Sequence, residues 1–262
     1  MNNILKSPKL QVWIYLLLIW ILSLPFWLMS YIVRGSNLPD NLPLTDIGAS
    51  LTPTFSALII IAYSKNWKES LLLFQRIFDF IRINDKNVLY ISIFLFPILY
   101  ILTYFFQKLF GFNTTAPHIP SIKVLPVFLV FFVASIAEEL GYGAYATEEF
   151  QKYYSPLKTA FIIGVPWALW HLNSMVQIGQ TTTLILWGLC GTIAVRVVYV
   201  WLYNISNHSV FSLILCHTIA NTARTFYPGS RPAYEMGNGS IGYGIIIIFA
   251  LFVVFKTKGK LK

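Results

Sequence analysis

The sequence predicts an all-α fold: a polytopic bundle of about eight membrane-spanning helices with one amphipathic helix on the inner membrane surface. Three observations carry this reading. Of 262 residues, 56% are hydrophobic and 17% aromatic, and the mean hydropathy is +0.65. Only 11% are charged, against about 25% in ordinary soluble domains, too few to cover a soluble surface of this size. The apolar residues are also gathered into long runs separated by short charged stretches. A disordered chain, a soluble sandwich and a cytosolic α/β enzyme are excluded, and residues 1–262 read as a single membrane domain.

A spanning helix needs about 20 mostly apolar residues. Stretches 10–33, 46–64, 88–110, 124–147, 157–177, 180–203, 209–224 and 241–256 qualify, the seventh being short and carrying His217 and Asn221. The first run is longer than the core of a signal peptide and has no small-residue cleavage site, so it reads as a permanent span. Segment 65–86 interleaves charge with Trp67, Leu71, Phe74, Phe78 and Ile81. That pattern fits a helix lying on the inner surface; a helical hairpin extending its neighbours is the other reading. Pro and Gly punctuate the connections from Ser36 to Pro43, Thr114 to Pro120 and Tyr227 to Gly239.

The net charge of +9 belongs to topology rather than to nucleic acid, because the basic residues cluster between apolar runs. With the N-terminus inside, the inner segments hold 13 Lys and Arg and the outer segments 5, with Arg196 inside a span. This bias places both termini in the cytoplasm and makes the span count even. Cys190 and Cys216 both lie in apolar runs, so no disulfide framework is indicated.

Polar groups at depth are expensive, and their default reading is functional. Glu138 and Glu139 are adjacent in an apolar run. On a helix they point about 100° apart and cannot share one task. The plain alternative is a helix that ends there, with both carboxylates solvated. His171 follows Trp167 by one turn, and His217 and Asn221 share a face at i and i+4. Each histidine, taken alone, is equally readable as a helix-to-helix hydrogen bond. Arg196 either snorkels to an interface or pairs with a buried carboxylate. His118 and His208 sit in polar connections and read as surface residues. Two carboxylates, two imidazoles and a carboxamide suffice to activate water against a carbonyl and to steady the oxyanion. The same groups suit Zn²⁺, although no HExxH is present and the sequence requires no cofactor. All four Asp fall in loops or the surface helix, against an aspartyl mechanism, and no GxSG turn supports a serine one.

The spacing Glu138-Glu139-xxx, Trp167-xxx-His171 and His217-xxx-Asn221 resembles the EExxxR, FxxxH and HxxxN/D motifs of the CPBP family. That family comprises type II CAAX prenyl endopeptidases and the Abi bacteriocin-processing and immunity proteins. The similarity runs over residues 125–222, a CPBP-like catalytic core. It implies an intramembrane glutamate-type endopeptidase with an eight-helix core in a bacterial cell membrane, acting on a peptide or membrane-protein substrate within the bilayer. By that resemblance Glu138 and His171 activate water, His217 and Asn221 hold the oxyanion, and Glu139 supports them. The pattern departs at Gly143, which stands where the family has Arg, and at Trp167, which replaces Phe. Glu139 thereby loses its partner. Arg196, the only basic residue well inside a span, is the candidate substitute; otherwise Glu139 takes up a proton or bonds a Tyr or Trp. The missing Arg leaves open a non-catalytic relative serving as a membrane scaffold or immunity protein. A small-solute transporter is a third reading, although no inverted repeat is visible.

Overall fold

Local sequence explains where the helices begin. A computed structural model describes residues 7–33, 45–114, 122, 124–225 and 239–262. Helix α1 (Pro8–Ile32) opens on a proline in its first turn, and α2 (Asp46–Ser50) runs through Leu51 into α3 (Thr52–Ser64). Asn66 caps α4 (Trp67–Leu71), Asp85 caps α5 (Lys86–Leu109), Ser155 caps α8 (Pro156–Gln177) and Thr181 caps α9 (Thr182–Ile205), each side chain accepting a backbone N–H. Helix α6 (Val124–Glu139) continues into a π-helical stretch, Leu140–Thr147, and the single turn α7 (Glu148–Gln151). Helices α10 (Val210–Thr225) and α11 (Gly239–Lys256) complete the chain.

The protein is a polytopic helical membrane bundle. Six helical stretches are long and apolar enough to cross a bilayer: Pro8–Ile32, Asp46–Ser64, Lys86–Leu109, Val124–Gln151, Thr182–Ile205 and Gly239–Lys256. Helices α8 and α10 pack among them, α8 on α9 and α10 on α5 and α6. Leu17, Leu28, Phe105, Leu129, Leu251 and Phe255 stand exposed on the outside, as lipid-facing residues do.

The two ends of the bundle are chemically different. At one end Trp13 of α1 packs on Phe150, Asn204 of α9 bonds the carbonyl of Leu261, and Arg76 bonds Glu148 and the carbonyl of His208. This end carries Lys9, Lys65, Arg82, Lys152, Lys158 and Lys258. At the other end Tyr31 of α1 bonds Asn173 of α8, and Ser174 bonds Asp46. His208 lies exposed at the basic end, stacked on Tyr203; His118 and Asp40 lie outside the described residues.

Three expectations change. Segment 65–86 is α4 followed by a 3₁₀ helix, Leu72–Arg82, that breaks at Phe78 and Asp79. Its apolar residues Trp67, Leu71, Phe74, Phe78 and Ile81 remain exposed, as a surface segment requires. Asp79, read from sequence as part of that surface, is buried. Its carboxylate accepts the N–H groups of Val210 and Phe211 and the Ser209 hydroxyl, completing the N-terminus of α10. Asp46, read as a loop residue, instead starts α2 and faces a cavity. At the glutamate pair the functional reading stands and its plain alternative does not: the helix continues past Glu139. It widens there, with the Thr147 hydroxyl bonding the Tyr142 carbonyl at 2.8 Å, and both carboxylates are buried.

Candidate active site

A cavity of about 310 Å³ lies within the bundle, and Glu138, Trp167, His171, His217 and Asn221 all line it. The residues come from three helices, so their meeting depends on how α6, α8 and α10 pack. Glu138 is next to last in α6, just before the π-helical stretch begins. Such wide turns recur at functional sites because they re-aim the side chains beside them. Helical spacing brings Trp167 and His171 to one face of α8, and His217 and Asn221 to one face of α10.

Trp167 is the central contact. Its indole N–H donates to Glu138 Oε2 at 2.9 Å. Its ring meets His171 and His217 edge-on, with centroids 5.2 and 6.0 Å away. The phenylalanine found in this motif elsewhere cannot make the hydrogen bond.

Glu139 turns away from the cavity, as the angular separation of neighbouring helical residues requires. Its Oε1 lies 3.0 Å from His217 Nδ1. Arg196 of α9 grips the same carboxylate through two nitrogens, Nη1 to Oε2 at 3.0 Å and Nη2 to Oε1 at 3.3 Å. Both side chains are completely buried. Arg196 therefore pairs with a carboxylate rather than snorkelling. Its guanidinium sits 4.1 Å over the Trp167 ring, 5.0 Å over Tyr142 and 5.3 Å over Tyr199, and such faces attract a desolvated cation.

Two glycines make this arrangement possible. A Cβ on Gly164 of α8 would come within 3.1 Å of Arg196 Cβ, so α9 packs closely at that level only because α8 has no side chain there. A Cβ on Gly143 would meet Leu213 Cδ1 at 2.7 Å and Glu139 Oε2 at 3.1 Å. A side chain at that position would require the Leu213 side chain to move, and the cation arrives instead from a different helix.

Asp46 and Arg224 also line the cavity, and sequence reasoning did not single them out. A signal was present: Ser174 follows His171 by three residues and bonds Asp46 Oδ2 at 2.7 Å, and Arg224 follows Asn221 by three. Among the described residues, no three His, Cys, Asp or Glu side chains are arranged to hold a metal ion. Glu139, the carboxylate beside His217, is already bound by Arg196. The described residues at this site do not fit a metal centre.

Fold and site together define a polytopic helical membrane protein with a glutamate, two histidines and an asparagine around one intramembrane cavity. The comparisons agree with the resemblance read from the motifs. The family model described as type II CAAX prenyl endopeptidase Rce1-like matches residues 120–223, a segment that contains all three motifs. The chain is also 24% identical over 231 residues to CAAX prenyl protease 2 of Methanococcus maripaludis, covering 83% of this chain and 85% of that protein.

Proposed function

We propose that this protein is an intramembrane endopeptidase of the glutamate type, hydrolysing a peptide bond in a peptide or membrane-protein substrate. One observation carries the reading: Glu138, His171, His217 and Asn221 line the same cavity. Water held between Glu138 and His171 loses a proton to Glu138 as its oxygen attacks the carbonyl carbon. The carbonyl oxygen becomes an oxyanion, to which the Asn221 amide donates a hydrogen bond and which an imidazolium at His217, donating through both ring nitrogens, also holds. Collapse of this tetrahedral species breaks the C–N bond, and the proton passes to the leaving amine. The Trp167 N–H holds the Glu138 carboxylate in place through this sequence.

Arg196 and Glu139 are positioning residues. Glu139 accepts from His217 Nδ1, which fixes the ring and turns Nε2 towards the cavity. Arg196 holds Glu139 at that angle. The non-catalytic reading rested on the cation missing at Gly143. Arg196 at hydrogen-bond distance from Glu139 supports the catalytic reading instead. The test is cleavage of an internally quenched peptide by the reconstituted protein, wild type against Glu138→Gln. Loss of turnover in a folded Gln variant is expected; equal turnover would sink the general-base assignment.

A further inference from the structure

We infer that Asp46 is a cation-selecting residue of the reactive cavity. Its carboxylate takes an ammonium or guanidinium group of the substrate, from a Lys or Arg side chain or from a free N-terminal amine, close to the bond that is cut. The word substrate rests on the endopeptidase reading, and binding tests the selection separately from cleavage.

Asp46 lies outside residues 120–223, the segment that matches the family model. It nevertheless lines the same cavity as Glu138, His171 and Asn221. Its place is fixed from two sides. Gly48, two residues on, lets α2 lie directly against the Phe26 ring of α1, with which a Cβ at that position would collide. From α8, the Ser174 hydroxyl donates to Asp46 Oδ2 at 2.7 Å. Ser174 follows His171 by three residues, so the carboxylate is anchored roughly 5 Å along α8 from that imidazole. Two residues of extended chain cover about that distance, which puts the bound cation within about two residues of the scissile bond.

The carboxylate is only half provided for. The Ser174 hydroxyl is neutral and reaches one oxygen. Among the described residues, no Lys, Arg or His forms an ion pair with Asp46. The buried acids Asp79 and Glu139 differ, because each holds an arginine of its own, Arg76 and Arg196. Arg224 lines the same cavity but belongs to α10, and no ion pair joins it to Asp46. Around Asp46 the wall is apolar: Ile47 follows it, and α2 packs on α6, whose Pro126, Val127 and Val130 line the cavity. A carboxylate in such surroundings is costly without a counter-charge. The low dielectric that makes it costly also strengthens its attraction to a cation. A neutral donor would satisfy the free oxygen and leave the charge unbalanced. The one competing role for Asp46 is to favour the start of α2 by its charge, which bears on stability and not on the choice of peptide.

A set of otherwise identical apolar peptides tests this, each carrying Lys, norleucine or Glu at one of the two positions on either side of the expected cleavage site. Every peptide is made with a free and with an acetylated N-terminus, which separates a side-chain cation from a terminal amine. Binding of fluorescent versions is measured on Glu138→Gln protein in zwitterionic nanodiscs, and cleavage on the wild type. A Lys peptide, or the free-amine form, should bind and be cut about tenfold better than its neutral counterpart, as one charge-assisted hydrogen bond gives, with the Glu peptides poorest. Asp46→Asn, whose amide oxygen still accepts from Ser174, should erase the difference between Lys and norleucine. Asp46→Lys should reverse the order in favour of Glu. Equal handling of Lys and norleucine by the unaltered Asp46 protein overturns the inference. So does a preference that survives Asp46→Asn, or an Asp46→Asn protein that melts earlier yet keeps the same ranking of peptides. Selective binding with no cleavage upholds the cation site and counts against the endopeptidase reading; cleavage without selectivity does the reverse. A protein that neither binds nor cuts any of the peptides overturns both.

Discussion

Two arginines show how depth changes the meaning of the same interaction. At the basic end, Arg76 bonds Asp79 at 2.8 Å, Glu148 at 2.9 Å and the His208 carbonyl at 2.6 Å, with its side chain 16% exposed. Burial works against its charge, but the Asp79 and Glu148 hydrogen bonds more than offset this and hold the guanidinium protonated. The cluster fastens the 3₁₀ segment, α7 and the α9–α10 turn to one another. Each of its acids has other donors, Tyr203 for Glu148 and the α10 backbone for Asp79. In the bundle centre Arg196 is fully buried and serves one carboxylate, which in turn serves one imidazole. At the edge, water and spare donors replace a lost partner. At the centre nothing replaces it, so the pair is costly to disturb and its geometry is transmitted to His217.

The largest expected effect is at Glu138. Glu138→Gln should keep the fold and abolish turnover, since the amide is nearly isosteric but a poor base; peptide cleavage with a parallel thermal melt checks both parts. Next comes the contrast between the arginines. Arg196→Ala orphans a buried carboxylate and should cost about 3–5 kcal/mol. Arg76→Ala should cost about 1 kcal/mol, because its partners keep other donors. Equal losses in unfolding measurements would break the comparison. Asn221→Ala should slow turnover on the order of 10²–10³-fold, the usual effect of removing one oxyanion donor, with stability preserved. Trp167→Phe keeps a ring over Arg196 but removes the N–H to Glu138. A loss of roughly tenfold in turnover, matching one hydrogen bond of about 1.4 kcal/mol, is expected, and a larger loss of stability would instead make Trp167 a packing residue. The smallest effect is that of a chelator, which should leave turnover unchanged. Activity lost to the chelator and restored by Zn²⁺ would require a ligand set beyond the described residues.

Much of the fold was written in local patterns. The eight apolar runs correspond to the observed helices within a few residues, because desolvation of a backbone segment in lipid depends on its own composition. Ser155 and Thr181 cap the helices that follow them, each a contact between near neighbours. The three motifs were legible because i to i+4 spacing alone puts His217 and Asn221 on one face.

What the sequence could not decide was which residues meet across helices. It named Arg196 as a candidate partner for Glu139, but the pairing spans 57 residues and depends on the rotation of α9 against α8, set by close packing at Gly164. Asp79 and Asp46 were misplaced for the same reason. An aspartate between apolar runs looks solvated in one dimension, and only the folded chain brings the α10 N-terminus to one and Ser174 to the other. Composition and periodicity determined which segments enter the membrane and which side chains share a helical face. Tertiary packing alone decided that Arg196 supplies the cation missing at Gly143 and that Glu138 and Glu139 face different partners, because helix rotation and approach distance are properties of the assembled bundle.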